Sequence, residues 1–208
     1  MESIEWMFEP SWKGARLMAR LSDGRIAITD EHGEPAPSEQ AEAAQLLEPV
    51  IDADQALIDG VWTSMSLADE GVAGVARDQV AGERRPAFVA VDLVELDGQL
   101  LHEVPYLERR RLLESVLEER ARVRLSQAVR QPIQSWLPAW RALGFEHYLA
   151  KHINSRYRPG EVSDQWLRIS TAGPPERSMV DRLLGARQKK LPRIADDGTP
   201  YPERTLRR

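Results

Sequence analysis

Lysine is scarce in this chain: 208 residues hold Lys13, Lys151, Lys189 and Lys190 and no others, leaving 24 arginines among the 28 basic residues. A lysine amine is a useful nucleophile only when it is placed against its electrophile and able to lose its proton. Before the basic end of the chain, amine chemistry therefore falls to Lys13 or Lys151. Ser11 stands two residues before Lys13, and on a strand that spacing puts both side chains on one face. The pair has the residue types of a serine–lysine dyad, but no oxyanion-hole signature accompanies it. Lys151 and Arg16 could together hold a nucleotide or DNA phosphate, or be taken up by Glu9 or Glu146. His32, His102, His147 and His152 show no ligand spacing of the HExxH kind. The chain has no cysteine, which excludes disulfides, thiolate metal sites and a cysteine nucleophile. No metal site is expected.

The composition is that of a globular protein. Hydrophobic residues make up 42% and charged residues 29%, and the net charge of -5 is too small for a chain kept unfolded by self-repulsion. The length suits one domain with a tail. No apolar run approaches the roughly 20 residues of a membrane span, and MESIEWMFEP carries neither a basic nor an apolar leader segment. A cytoplasmic protein is expected, with no membrane partner.

Charge divides the chain. Residues 175–208 contain nine basic and five acidic residues, so this tail is +4 and residues 1–174 are -9. The boundary falls at Thr171-Ala172-Gly173-Pro174-Pro175, where two prolines stop regular structure. Met179, Leu183 and Leu184 could form one short helix, and the end of the tail reads as irregular. The tail, through Arg187, Lys189, Lys190 and Arg193, is a candidate arm for DNA or a partner protein.

The elements that must position these groups are legible in the patterning. Arg16–Leu21 and Arg25–Thr29 flank Ser22-Asp23-Gly24 and read as a hairpin. Ser38–Val50 reads as a helix with Ser38 as cap. Ala56–Ile58 and Phe88–Leu96 are strand-like, the second ending in an Asp97-Gly98 turn. Pro105–Val123 reads as an amphipathic helix with Leu112, Leu113, Val116 and Leu117 as its apolar stripe. On it Arg109, Arg110 and Arg111 are expected to form salt-bridged solvent faces with neighbouring glutamates. Tyr148–Ala150 and Trp166–Ile169 are short strands. Trp136 and Trp140, four apart on a short helix, make an apolar patch that docks on the sheet or meets a partner. The order of elements argues for an α+β fold, antiparallel sheets flanked by helices.

Several segments together resemble the adenylation domain of ATP-dependent DNA ligases. Phe8-Glu9-Pro10-Ser11-Trp12-Lys13-Gly14-Ala15-Arg16 is similar to the family's E-P-K-W-D-G-x-R nucleophile segment. Asp59-Gly60 resembles the start of its DGE, and Phe88-Val89-Ala90-Val91-Asp92-Leu93 with Leu96-Asp97-Gly98 resembles FVAFDLL…LDG. Phe145-Glu146-His147-Tyr148-Leu149-Ala150-Lys151 resembles FEGVVAK and runs on through Ser155-Arg156-Tyr157-Arg158-Pro159-Gly160 to Trp166-Leu167. The resemblance spans roughly residues 6–170 and implies the ATP-grasp-like nucleotidyltransferase fold of DNA ligases over residues 1–174.

That family transfers AMP through a lysine phosphoramidate, with ATP and Mg as its small-molecule requirements. The resemblance places Ser11 at the nucleophile position and Lys13 at the aspartate two residues on. It places Val61 at the glutamate of DGE, Val91 at the adenine-stacking aromatic, His147 at the glycine of the FEG triplet, and Arg168 and Ser170 at the two closing lysines. Asp30-Glu31 stands where the family contacts DNA phosphates. Glu9, Arg16 and Lys151 remain as nucleotide-binding candidates, beside Gly14, Asp59, Gly60, Asp92 and Glu146. No catalytic set is intact. The expectation is a ligase-like domain without self-adenylation, with weak or absent ATP and Mg binding, that serves DNA or a DNA repair or ligase protein. The alternative is an active nucleotidyltransferase that uses Lys13. About 38 residues follow Ser170, too few for the family's OB-fold, which the alternative would take from another polypeptide.

Overall fold

The computed structural model describes residues 4–65, 85–158, 160–161 and 163–172. The tail 175–208, with Arg187, Lys189, Lys190 and Arg193, lies outside them.

Two sheets face each other. The larger is built from β2 (Ala15–Ser22), β3 (Arg25–Asp30), β4 (Ala56–Thr63), β5 (Ala87–Leu96) and the short β6 (Gln99–Leu100), in the order β3-β2-β4-β5-β6. β7 (Val123–Leu125) lies parallel along the start of β5, the one parallel pairing of the described strands. The smaller sheet joins β1 (Trp6–Pro10), β8 (His147–His152) and β9 (Trp166–Ser170), all antiparallel. Asp23-Gly24 and Asp97-Gly98 form the two tight hairpin turns, with φ of 50° and 69°, and 47° and 78°. Both central residues are left-handed, which matches the twist of the flanking strands.

Strand alternation sorts the side chains into layers. Leu17, Ala19, Ile58, Phe88, Ala90, Val123 and their neighbours form the main core, closed by Ala43 and Leu47 of α1 (Ser38–Leu47) and by Leu113 and Val116 of α2 (Tyr106–Val116). Phe8, Tyr148 and Ala150 on the outer side of the small sheet pack against Ile133, Phe145 and Trp140 of α3 (Leu137–Ala142). Trp140 is fully buried and Trp136 half-buried at its edge, so the tryptophan pair docks on the sheet. Gly60 is required by packing, since a Cβ there would stand 2.2 Å from the Phe88 ring.

Two helices end earlier than their sequence patterns predict. α1 stops at Leu47 and passes into a 3-10 turn through Val50, its cap is Pro37, and Ser38 makes no capping bond. α2 stops at Val116 rather than Val123. Leu117 turns extended, with φ -113° and ψ 114°, and bridges to Ile51. Burying Leu117 and Val123 in the main core outweighs the helical propensity of the Glu- and Arg-rich stretch between them. The arginine run also departs from expectation. Arg110 and Arg111 pair with Glu114 and Glu108 as the spacing suggests, but Arg109 and Arg110 are buried and only Arg111 faces solvent.

Candidate functional site

The inner faces of the two sheets carry a layer of charge. β1 and β8 register Glu9 against Leu149 and Met7 against Lys151, which puts Glu9 and Lys151 on the face opposite Phe8 and Ala150. There Lys151 Nζ lies 3.1 Å from Glu9 Oε1 and donates to the Val91 carbonyl at 3.3 Å. Its ammonium also sits over the Tyr106 and Trp166 rings, 4.9 and 4.6 Å from their centroids, a cation–π arrangement. Lys151 is 1% exposed and Glu9 0%. Burial alone would raise the Glu9 carboxyl. Lys151 and Arg110, with hydrogen bonds from the Tyr106 and Ser126 hydroxyls, overcome that and hold it below its ordinary range. Tyr106 donates its phenol proton to Glu9 Oε1.

Two more ion pairs extend the layer. Arg16 forks onto Asp59, Nε to Oδ1 at 3.0 Å and Nη2 to Oδ2 at 2.7 Å, and the Tyr157 hydroxyl donates to Asp59 Oδ2 at 3.1 Å. Arg109 forks onto Asp92 with two 2.8 Å bonds and also donates to the Val104 and Ser155 carbonyls. Burial and the Asp59 charge push the Tyr157 phenol well up, so it stays a donor.

Each candidate thus has a definite place. Lys151 is held by Glu9, one of the two carboxylates the sequence offered it. Arg16 is held by Asp59. Glu146 instead binds Lys13, Nζ to Oε1 at 2.7 Å, with the two side chains 53% and 66% exposed. Ser11, Trp12 and Lys13 lie in the connection from β1 to β2 and not in a strand, so the shared face predicted for Ser11 and Lys13 does not exist. Ser11 N–H donates to the His147 carbonyl at 3.0 Å, Thr63 Oγ1 donates to the Lys13 carbonyl at 2.6 Å, and Trp12 Nε1 donates to Ser126 Oγ at 3.2 Å. These bonds fix the segment with Lys13 pointing out to Glu146. Asp30, from the acidic run, accepts the His32 and Glu34 N–H groups at 2.9 Å and caps its own turn. Gly14 leaves no room for a side chain, since a Cβ would stand 2.1 Å from the Trp62 carbonyl oxygen.

The participants that sequence reasoning passed over are Tyr106, Arg109, Ser126 and Tyr157. The resemblance quoted Tyr157 only as part of a stretch, and the arginine run hid Arg109 among solvent charges.

The family model described as ATP dependent DNA ligase domain matches residues 1–169. The chain belongs to that family. It is 28% identical over 177 residues to the multifunctional non-homologous end joining DNA repair protein LigD of Mycobacterium tuberculosis, covering 81% of this chain and 22% of that protein. It is 25% identical over 184 residues to a DNA ligase of Thermococcus fumicolans, covering 79% of this chain and 32% of the relative. The crystal structure of the ligase domain of M. tuberculosis LigD superposes with a TM-score of 0.62 at 25% identity, over 82% of this chain and 55% of that one. A mycobacterial DNA ligase D complexed with ATP and MES gives the same score and identity, over 82% and 56%. The chain thus spans between about a fifth and a third of the curated relatives it matches. The fold is the ligase nucleotidyltransferase fold that the resemblance implies. None of the helices among the described residues is long and apolar enough to cross a membrane.

Among the described residues the side chains do not fit the ATP and Mg of the family. Of the described lysines, Lys151 is buried against Glu9 and Lys13 is tied to Glu146 at the surface. Val61 and Val91 offer neither a carboxylate nor a ring, and the carboxylates of Glu9, Asp59 and Asp92 each answer a cation of the chain itself. Among the described residues no group of three His, Asp or Glu side chains is placed to hold a metal ion.

Proposed function

We propose that this chain is a ligase-like adenylation domain that has lost self-adenylation and works as a non-catalytic binding component of DNA repair. The observation that carries the reading is the Lys151–Glu9 pair, joined at 3.1 Å with both side chains out of solvent. A family nucleophile must present an amine to phosphorus, yet Ser11 stands at that position, Lys151 is spent on Glu9 and Lys13 is spent on Glu146. Loss of a covalent nucleophile removes orders of magnitude of rate, because residues that act as a unit fail as a unit. The DNA repair setting is supported by the likeness to LigD proteins. DNA or a repair or ligase protein is the partner this reading assigns, in the cytoplasm, with 1–174 as the folded domain and 175–208 as a basic arm.

The test is the intact mass of the protein after incubation with ATP and magnesium, with Lys13→Ala alongside. The expected result is no mass change in either. A stable gain of one AMP in the wild type, absent from Lys13→Ala, would establish the alternative of a relocated nucleophile, served by an OB-fold from another chain.

A further inference from the structure

The small sheet has two outer edges, and they differ. β1 is covered at its middle, where Phe8 and Val129 exchange two backbone bonds of 2.8 Å. Along β9 no further strand lies among the described residues. His152 N–H donates to the Gln165 carbonyl at 2.8 Å and Thr171 N–H to the Glu146 carbonyl at 2.9 Å. Between these bonds Ala150 registers with Leu167 and Tyr148 with Ile169, so the ladder to β8 is carried by the odd-numbered residues. Trp166, Arg168 and Ser170 therefore turn their backbone N–H and C=O groups to the free edge. Such a row of unpaired groups is a template for another strand.

Arg168 stands at the middle of that edge, and its Nε is buried with no hydrogen-bond partner. Glu146, an acid that feels its charge, is held by Lys13 at 2.7 Å. At the Ser170 end the edge opens on a hollow of about 360 Å³ lined by Arg141, Phe145, Glu146, His147, Ser170 and Thr171. Arg141 is exposed there, its Nε donating to the Leu137 carbonyl at 3.3 Å. The surroundings of the edge thus offer two guanidinium groups, and their one carboxylate is already bound. That charge selects the occupant. Two β9 strands paired antiparallel over their full length would set Arg168 opposite its own copy, and like charges directly opposite are destabilising. The tail 175–208, at +4, carries the same sign.

We propose that the outer edge of β9 is a docking site for an extended acidic segment of another protein, which joins the small sheet as its fourth strand. Backbone bonds to Trp166, Arg168 and Ser170 hold the segment, and its side chains set the specificity. An acidic side chain on the Arg168 face gives the guanidinium a charge-assisted partner. Apolar side chains on the other face lie beside Leu167 and Ile169, which pack against the outer core. The site depends on the free edge and not on loss of AMP transfer, so the intact-mass test above can fail without touching it.

The probe is a fluorescein-labelled peptide of alternating valine and glutamate, titrated into the full chain and read by fluorescence anisotropy. The expected result is saturable binding that is lost when lysine replaces each glutamate. Arg168→Gln should weaken binding about tenfold, the size of one charge-assisted contact. Arg168→Glu should reverse the preference and take the lysine peptide, a gain that loss of folding cannot imitate. Ser170→Pro removes an outward N–H and leaves the ladder to β8 intact, so it should lose the peptide and melt close to the wild type. Arg120→Gln, an exposed residue paired with Glu118, should bind as the wild type does. A wild type that binds neither peptide or both alike, an Arg168→Glu that keeps the wild-type preference, or a Ser170→Pro that binds fully would each overturn the assignment. So would release of the probe by a DNA hairpin or by a peptide of residues 175–208, or a dimer of the free chain that Ser170→Pro dissolves.

Discussion

Lys151 and Glu9 meet 3.1 Å apart where neither touches water, one from β8 and the other from β1. The pair therefore joins β1 to the strand beside it by charge as well as by backbone bonds. Removing one partner strands the other. Lys151→Met and Glu9→Gln should each destabilise the protein by about 3–5 kcal/mol, the cost of an uncompensated buried charge. The double variant should recover a large part of that loss. Urea denaturation of the four proteins measures the coupling, and additive single effects would show that the pair does not act as one unit.

Stability should fall in acid through Glu9. Its carboxyl is held below the ordinary value of 4.5, so below that value the unfolded chain takes up the proton more readily than the folded one. The stabilisation is complete above about pH 4.5 and is lost as pH falls through the lower folded pKa. Melting temperatures from pH 7 to pH 3 should drop more steeply for the wild type than for Glu9→Gln/Lys151→Met.

The Lys13–Glu146 pair should matter little. Both side chains are more than half exposed, and such pairs contribute about 0–1 kcal/mol. Lys13→Ala and Ser11→Ala should unfold within a fraction of a kcal/mol of the wild type, as chemical denaturation would show.

On the proposed reading, Ser11→Lys should not confer self-adenylation. Val61 and Val91 supply no metal carboxylate and no adenine platform, and Glu9 is already bound by Lys151. Incubation with ATP and magnesium should leave the mass of this variant unchanged. A gain of one AMP in this variant would overturn that expectation.

Deleting residues 175–208 should weaken DNA binding and flatten its dependence on salt, because fewer cations would displace counterions from the phosphates. Titrations of both forms at several salt concentrations decide it, and equal slopes would remove the tail as the arm.

Local chemistry was readable from the chain alone. Asp23-Gly24 and Asp97-Gly98 announce their turns, and Phe88-Val89-Ala90-Val91 announces a buried strand. What stayed hidden depends on distant partners. β1 has little signal until β8 lies beside it. Arg109 looks like its neighbours on a charged helix until Asp92 and the carbonyls of Val104 and Ser155 surround it. The end of α2 is hard to read because the period-two alternation of Arg122-Val123-Arg124-Leu125 lies within a stretch otherwise rich in helix formers. Of the site, the resemblance picked out Glu9, Arg16 and Lys151, while the pairings that occupy them are purely tertiary.

The pairing of β1 with β8 also bears on how the chain comes off the ribosome. β2, β3 and β4 are neighbours in both sequence and space, so the large sheet can begin to assemble while synthesis continues. The small sheet cannot, because Trp6 pairs with His152 and Met7 with Lys151. Until that segment emerges, the Glu9 segment must wait unpaired and its carboxylate hydrated. Long-range pairing of this kind is slow, and a nascent chain arrested before β8 would carry β1 as an open strand that a chaperone or another strand could capture.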